Sequence, residues 1–457
     1  MSSRMFAVLD AEVASGGAGV SGARLGRWLG MATPTALVHT QTGLPPHLTP
    51  DVLERIGEAR GLALRLPHLL GQDVPVRARG VRINEYLNVA AHDTFMLTRD
   101  PRAVLIPRHS DKEAVLDTPS GRKKVTVADH CRMLEAFAPD VAACLSDELP
   151  ATGGKRRAAQ AVERTLKWLD ATLETPLGKA AAAAVAAAEA GEGSGGDGGG
   201  EAQVVTQLLG VVVGGTNPLL RAQSAEETAK RPVAGFVLGG FGMGESAAQR
   251  AELLQLTISK LPATKPRVVV GAETPLEALE AVAAGVDVVD AVYPYLLARD
   301  RFASTFDFTW PALDAAADDM VVDAAAAPRA PEARPPVPTS AERDTEPLGD
   351  GVKLLLSESA FARDTRPLVP GCTCYTCTDH TRAYVHHLVN THEMLADVLL
   401  FNHNLHHWLG FFAEVRRAIA AGRFVEYRAW MEETYGFPAD DAATFAAPAG
   451  ADGAAGP

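Results

Sequence analysis

Nowhere does the sequence carry the roughly 20 consecutive, strongly apolar residues that a membrane span requires. Its longest uncharged stretches are Ala-rich, as from Ala180 to Ala188, or Gly-rich, so a soluble chain is expected. Positive charge is also scarce: 43 Lys and Arg stand against 56 Asp and Glu, for a formal net charge of -13. That balance excludes a surface that binds phosphate all over, and a nucleic-acid partner would have to be met by a local patch or by another subunit. Five cysteines in 457 residues exclude a disulfide scaffold. The segment Met1 to Gly19 holds one Arg, no Lys and an Asp-Ala-Glu, unlike a secretory signal or an Arg-rich transit peptide. A cytosolic address is expected.

What is present is enough apolar sequence, 47%, to bury the core of one large barrel or of two to three ordinary domains. Two composition breaks interrupt it. From 178 to 203 an Ala block able to form a helix passes into a Gly-rich run that reads as a flexible linker. From 315 to 351 the chain is Ala, Pro and acid, the composition of a disordered insertion, and the tail 438–457 repeats it. Between the breaks, β-branched runs alternate with helical sequence at Leu208 to Val213, Ala234 to Leu238, Arg267 to Val270 and Val286 to Val292. That spacing implies βα units and a parallel sheet. Asp140 to Leu145 and Arg102 to Ile106 read as further strands. One helix is sharply bounded: Thr274 and Glu277 form a capping box, Pro275 suits the first position and Gly285 ends it. Periodicity alone leaves an open doubly wound sheet and a closed (β/α)8 barrel both standing.

The chemistry concentrates in Cys372, Cys374 and Cys377, three soft ligands on one tight turn, which suits a tetrahedral zinc ion lacking one ligand. Seven of the thirteen histidines follow between His380 and His407. His386, His387 and His392 are expected to begin a long helix. His403, His406 and His407 lie about seven helical turns beyond the cysteines, so a chain folding back could deliver any of the three.

These residues, Cys372-x-Cys374-x-x-Cys377, His380-Thr-Arg-Ala-Tyr-Val-His-His-Leu388 and His403-Asn404, resemble the zinc subdomain of the tRNA-guanine transglycosylase family. Gly210-Val-Val-Val-Gly-Gly215, Gly239-Gly-Phe-Gly-Met-Gly-Glu245 and Gly285-Val-Asp-Val-Val-Asp290 with Pro294 also match, in the family's order, across about Val125 to Gly410. The resemblance implies a (β/α)8 TIM-like barrel over 1–437, its N-terminal portion spanning 1–177, with a zinc subdomain at 366–412. It also implies one structural zinc ion, with His403, twenty-six residues after Cys377, as fourth ligand. In that family one carboxylate attacks C1′ of the wobble guanosine and a second acts as acid and base.

Here the nucleophile's slot is Asp290, but the Asp-Ser-Gly-Gly-Phe-Gln motif that carries the second carboxylate is missing. The corresponding region, Asn88 to Phe95, offers only Asp93. Val213 replaces the glutamine that would read the base. Asp147 stands where a base-reading aspartate would be, although an acidic pair before Pro150 also suits a strand-end turn. After Pro294, Arg299 is kept while an earlier arginine is lost. Such losses beside a retained zinc signature resemble the family's non-catalytic branch, as do Glu226 to Phe236, Cys144 to Glu148 and the Phe-Phe after Gly410.

The expected role is therefore accessory: no catalytic residue, a degenerate slot at Asp290, and a heterodimer with a catalytic queuine tRNA-ribosyltransferase subunit. That pair would exchange guanine for queuine in GUN-anticodon tRNAs, meeting tRNA through the complex. Phe401, Trp408, Phe411 and Phe412 are expected to bury against the partner, or else to be core. The expected address is the cytoplasm, with a peripheral place on the outer mitochondrial surface as an alternative. The rival reading is a self-sufficient base-exchange enzyme pairing Asp290 with Asp93 or Asp147. A zinc-stabilised scaffold with no tRNA role is the third.

Overall fold

The structure is a computed structural model; it describes residues 4–9, 21–102, 108–190, 205–272, 274–290, 292–313 and 351–435. It divides into two compact units, one built mainly from Met1–Pro45 and Arg60–Val292, the other from Pro46–Ala59 and Tyr293–Gly436.

The first unit is a closed parallel barrel of eight strands. They are β1 (Thr35–His39), β2 (Gly61–Arg65), β3 (Asp93–Leu97), β4 (Val141–Ala143), β5 (Gln207–Val212), β6 (Gly235–Leu238), β7 (Arg267–Val270) and β8 (Val288–Asp290). Each strand pairs with the next, and β8 closes on β1 through Val288–Thr35 and Asp290–Leu37. The β-branched runs at β5 to β8 are strands because both faces of each are covered, by the barrel interior and by the surrounding helices. Leu37, Ala63, Phe95, Val211, Val237 and Val268 lie in one buried cluster, so the barrel is a packed core and not a pore. Below it, Gly26–Trp28 and Met31–Thr33 form part of a small antiparallel sheet. Trp28 packs edge-on against Phe95 at 5.1 Å and Met31 joins the same buried cluster, which seals the N-terminal end.

The helix Pro275–Ala284 has the expected bounds: Thr274 and Glu277 satisfy each other's backbone N–H and Gly285 ends it in the left-handed region, φ 104°. Other boundaries differ. The Ala block is helical, Pro176–Glu189, so the linker expected from 178 cannot begin before that helix ends. Residues 191–204, and the expected insertion and tail at 315–350 and 438–457, lie outside the described residues. The strand expected at Arg102 to Ile106 falls largely on 103–107, also outside them, and Arg102 itself lies in a turn.

The second unit is mainly helical. Helices Tyr293–Arg299, Tyr375–Asp379, Arg382–Asn390, Leu395–Ala420 and Phe424–Tyr435 accompany the strand pair Phe302–Ser304 and Lys353–Leu355. The long helix expected from His386 is in fact two helices, because the chain turns at Thr391 and His392, where φ is 58°. Phe401, Trp408, Phe411 and Phe412 are all buried inside this unit, with Phe306 packed edge-on against Phe411. They are core, which overturns the expectation that they meet a partner. In the same segment the exposed apolar residues are Tyr384, Met394 and Leu395. Among the described residues, no helix is long and apolar enough to cross a membrane.

Candidate functional site

In the second unit, Gly371 adopts φ 75°, a turn a side chain would strain, and brings Cys372 alongside the short helix that follows. Cys374 caps that helix, its Sγ accepting the N–H of Cys377 at 3.3 Å. Thr376 ties the helix to the long one by donating to the Leu399 carbonyl, 2.7 Å. His403 on the long helix then presents Nδ1 at 3.8, 3.5 and 3.4 Å from the sulfurs of Cys372, Cys374 and Cys377. For a tetrahedral ion with ordinary Zn–S and Zn–N bonds, the S···N edge is about 3.6 Å, so the donor set fits. The four ligand atoms lie within 4.8 Å of one another.

The other imidazole nitrogen, Nε2, is held 2.8 Å from the Ser304 carbonyl, which reserves Nδ1 for a metal. Asn404 fixes that carbonyl's strand, accepting from the Ser304 N–H at 2.8 Å and donating to Phe302 O at 2.9 Å. Burial disfavours a charged His403, yet the sulfurs of Cys377 and Cys372 outweigh it and raise its pKa. Of the three histidines the spacing allowed, the structure brings His403. His406 Nε2 faces Thr373 and His407 packs edge-on against Phe306.

In the barrel, the C-terminal strand ends are where such folds place chemistry. Asp290 is there, at the end of β8. Its carboxylate is clamped from two strands away: Arg65, ending β2, donates Nη1 to Oδ2 at 2.5 Å and Nη2 to Oδ1 at 2.6 Å. Both side chains are fully buried. Burial works to lower the Arg65 pKa, but Asp290 prevails and the net shift is upward.

A second arginine, Arg99, follows β3. Its Nη2 donates to Phe241 O at 2.8 Å and to Val270 O at 3.2 Å, and its Nε lies 3.0 Å from Glu148 Oε2. The loops there are close: a Cβ on Gly242 would stand 2.8 Å from the Gly271 Cα.

Asp93 does not belong to this site. It is the first residue of β3, at the opposite end of the barrel from Asp290, and Gly30 donates its N–H to it at 3.2 Å. The signal that picked it out was residue type near a motif position, without strand polarity. Asp147 is fully buried and held by Arg157 at 2.7 and 2.8 Å and by Arg164, so it is not presented to a base. Glu148 is the residue that reaches the mouth, accepting the Gly240 N–H at 2.6 Å. Val213 is buried in the core cluster. Arg299 is engaged by Asp300 at 2.8 Å. Sequence reasoning missed Arg65 and Arg99 because nothing local marks an arginine as the partner of residues 225 positions away, as for Arg65, or 142 and 171 away, as for Arg99.

The fold and the Cys3His centre define a (β/α)8 barrel protein able to hold a metal. The chain belongs to the queuine tRNA-ribosyltransferase family, which it matches over residues 21–436. It is similar to the queuine tRNA-ribosyltransferase accessory subunit 2 of Danio rerio, 32% identical over 430 residues, covering 90% of this chain and 96% of that protein. The protein of that name from Culex quinquefasciatus is 31% identical over 421 residues, 90% and 86% of the two chains. The one from Homo sapiens is 29% identical over 425 residues, 90% and 96%.

Proposed function

We propose that this chain is the non-catalytic subunit of a heterodimer, pairing with a catalytic queuine tRNA-ribosyltransferase subunit that exchanges guanine for queuine at the wobble position of GUN-anticodon tRNAs. The observation that carries this reading is the Arg65–Asp290 clamp. A carboxylate nucleophile needs a free oxygen facing C1′ of the ribose, and here both oxygens are engaged by one buried guanidinium. Releasing them would leave an unpaired buried charge, a cost of several kcal/mol. The two candidates for a second acid-base carboxylate, Asp93 and Asp147, are respectively at the wrong end of the barrel and held by arginines.

Cys372, Cys374, Cys377 and His403 would hold one zinc ion. Bound there, zinc cross-links the short and long helices and supplies no reaction chemistry, since four protein ligands leave no position for a water. The partner would be met through the exposed Tyr384, Met394 and Leu395 of the same unit, and tRNA through the complex, which accords with the net charge of -13. The proposed address is the cytoplasm.

The test is base exchange on tRNA. The chain alone should release no guanine, and a mixture with the catalytic subunit should incorporate queuine. Met394→Asp should abolish co-purification and incorporation together while leaving the melting temperature unchanged. Exchange by the chain alone would support the rival reading, in which Asp290 reacts.

A further inference from the structure

We infer that His109 is an acid-sensitive catch for the β-hairpin formed by Ala114–Thr118 and Gly121–Val125: neutral, it seats the hairpin's first strand; protonated, it lets that strand go. The inference concerns a part of the first unit apart from the barrel mouth and is independent of whether the chain is catalytic.

His109 Nδ1 accepts the N–H of Val115 at 2.9 Å, the second residue of that strand. A ring nitrogen that accepts carries no proton, so the imidazole is neutral, with its proton on Nε2. The ring is 6% exposed and stands edge-on to Trp168, centroids 5.8 Å apart. A proton added to Nδ1 would set two N–H groups against each other in a buried site, neither with an acceptor, so the contact with Val115 would break. The charges nearby do not rescue an imidazolium. Asp147 Oδ1 lies 3.7 Å from Nε2, but both its oxygens are already held by Arg157 and Arg164 from the helix Lys155–Leu173. On the segment that carries His109, Asp111 is taken up by Arg164, Glu113 pairs with Lys124 across the hairpin at 3.0 Å, and Arg108 and Lys112 are exposed. The helix Leu66–Leu69, which packs against the strand, adds His68, engaged by Asp100 at 3.1 Å. Burial, joined by the two arginines, outweighs Asp147 and Glu148 and keeps the His109 pKa below its ordinary 6.5. In an opened hairpin the ring would titrate near 6.5, so closure is complete above that pH and weakens as pH falls below it. What acid would release is a ribbon that buries Ala114 and Leu116 and exposes Arg122, Lys123 and Lys124.

The experiment is amide hydrogen exchange on the full chain at about pH 7.5 and pH 5.5, read by mass spectrometry over peptides from the hairpin and from β8 and expressed as protection factors, so that the pH dependence of the chemical exchange rate drops out. In the unmutated chain the hairpin should lose protection on going to the lower pH, by up to about tenfold, while β8 keeps its own. His109→Asn puts an amide oxygen near the place of Nδ1 and does not titrate, so its hairpin should be equally protected at both pH values; His109→Ala offers no acceptor, and its hairpin should be poorly protected at both. A seat that served packing alone would leave Asn and Ala alike. Should His109→Asn not fold, C2–H exchange at His109 in the unmutated chain, followed across pH, should place its titration below 6.5. Hairpin protection that is the same at both pH values in the unmutated chain, a loss in His109→Asn equal to that of the unmutated chain, or titration of His109 at or above 6.5 would overturn the catch.

Discussion

A buried ion pair is held together by mutual need more than by net stabilisation, and Arg65–Asp290 is a clear instance, with neither side chain reaching solvent. Arg65→Met alone and Asp290→Leu alone should each cost roughly 3–5 kcal/mol, because each strands the other's charge, whereas the double variant should lose far less. Urea unfolding of the four proteins checks this; additive losses would mean the two residues do not act as a pair. A second residue-scale expectation concerns His130, buried in the helix Val127–Phe137. Burial pushes its pKa from 6.5 down to about 4. Between those values the unfolded chain takes up a proton that the folded chain refuses, so stability is full above pH 6.5 and declines as pH falls towards 4. From pH 7 to pH 5 the loss is about 2 kcal/mol. His130→Leu should remove that share of the pH dependence, read as the difference between the two proteins' urea midpoints at each pH.

At the scale of elements, the Cys3His cluster, once it holds the proposed zinc ion, would staple helix to helix. Cys374→Ser and His403→Ala should each lose bound zinc and lower the melting temperature, while His407→Ala keeps the metal, as measured by metal analysis and thermal melts. A Cys374→Ser chain with full zinc content would contradict the assigned ligand set. Much of this level was legible beforehand, for definite reasons. The strands β5 to β8 are uninterrupted β-branched runs between turn residues, and the Thr274–Glu277 box and Gly285 bound their helix as such residues do. The strands β1 to β3 were not legible. Thr35–His39 follows a proline, and Gly61–Arg65 begins with glycine and ends with arginine, so neither reads as a buried run. Asp93 misled because its residue type carries no sign of which end of a strand it occupies. The aromatics from Phe401 to Phe412 fit a helical stripe that a core and an interface would share, and only the packing around Phe306 separates the two.

For the whole molecule, closure of the barrel depends on strands contributed by sequence far apart, and the interruptions fall between elements that are themselves well formed, such as the helix Pro176–Glu189 and β5. Because the entropy of closing a loop grows only with the logarithm of its length, deleting residues 191–200 or 325–345 should move the melting temperature by less than about 2 °C. Loss of soluble expression on either deletion would speak against a single barrel. The central claim, that this chain acts by pairing while its barrel stays chemically silent, is tested most directly by queuine incorporation into tRNA by a heterodimer that carries the Arg65→Met, Asp290→Leu double variant. The account predicts incorporation at the unmutated rate, with no exchange by either version of the chain alone; loss of incorporation with the heterodimer still intact would contradict it.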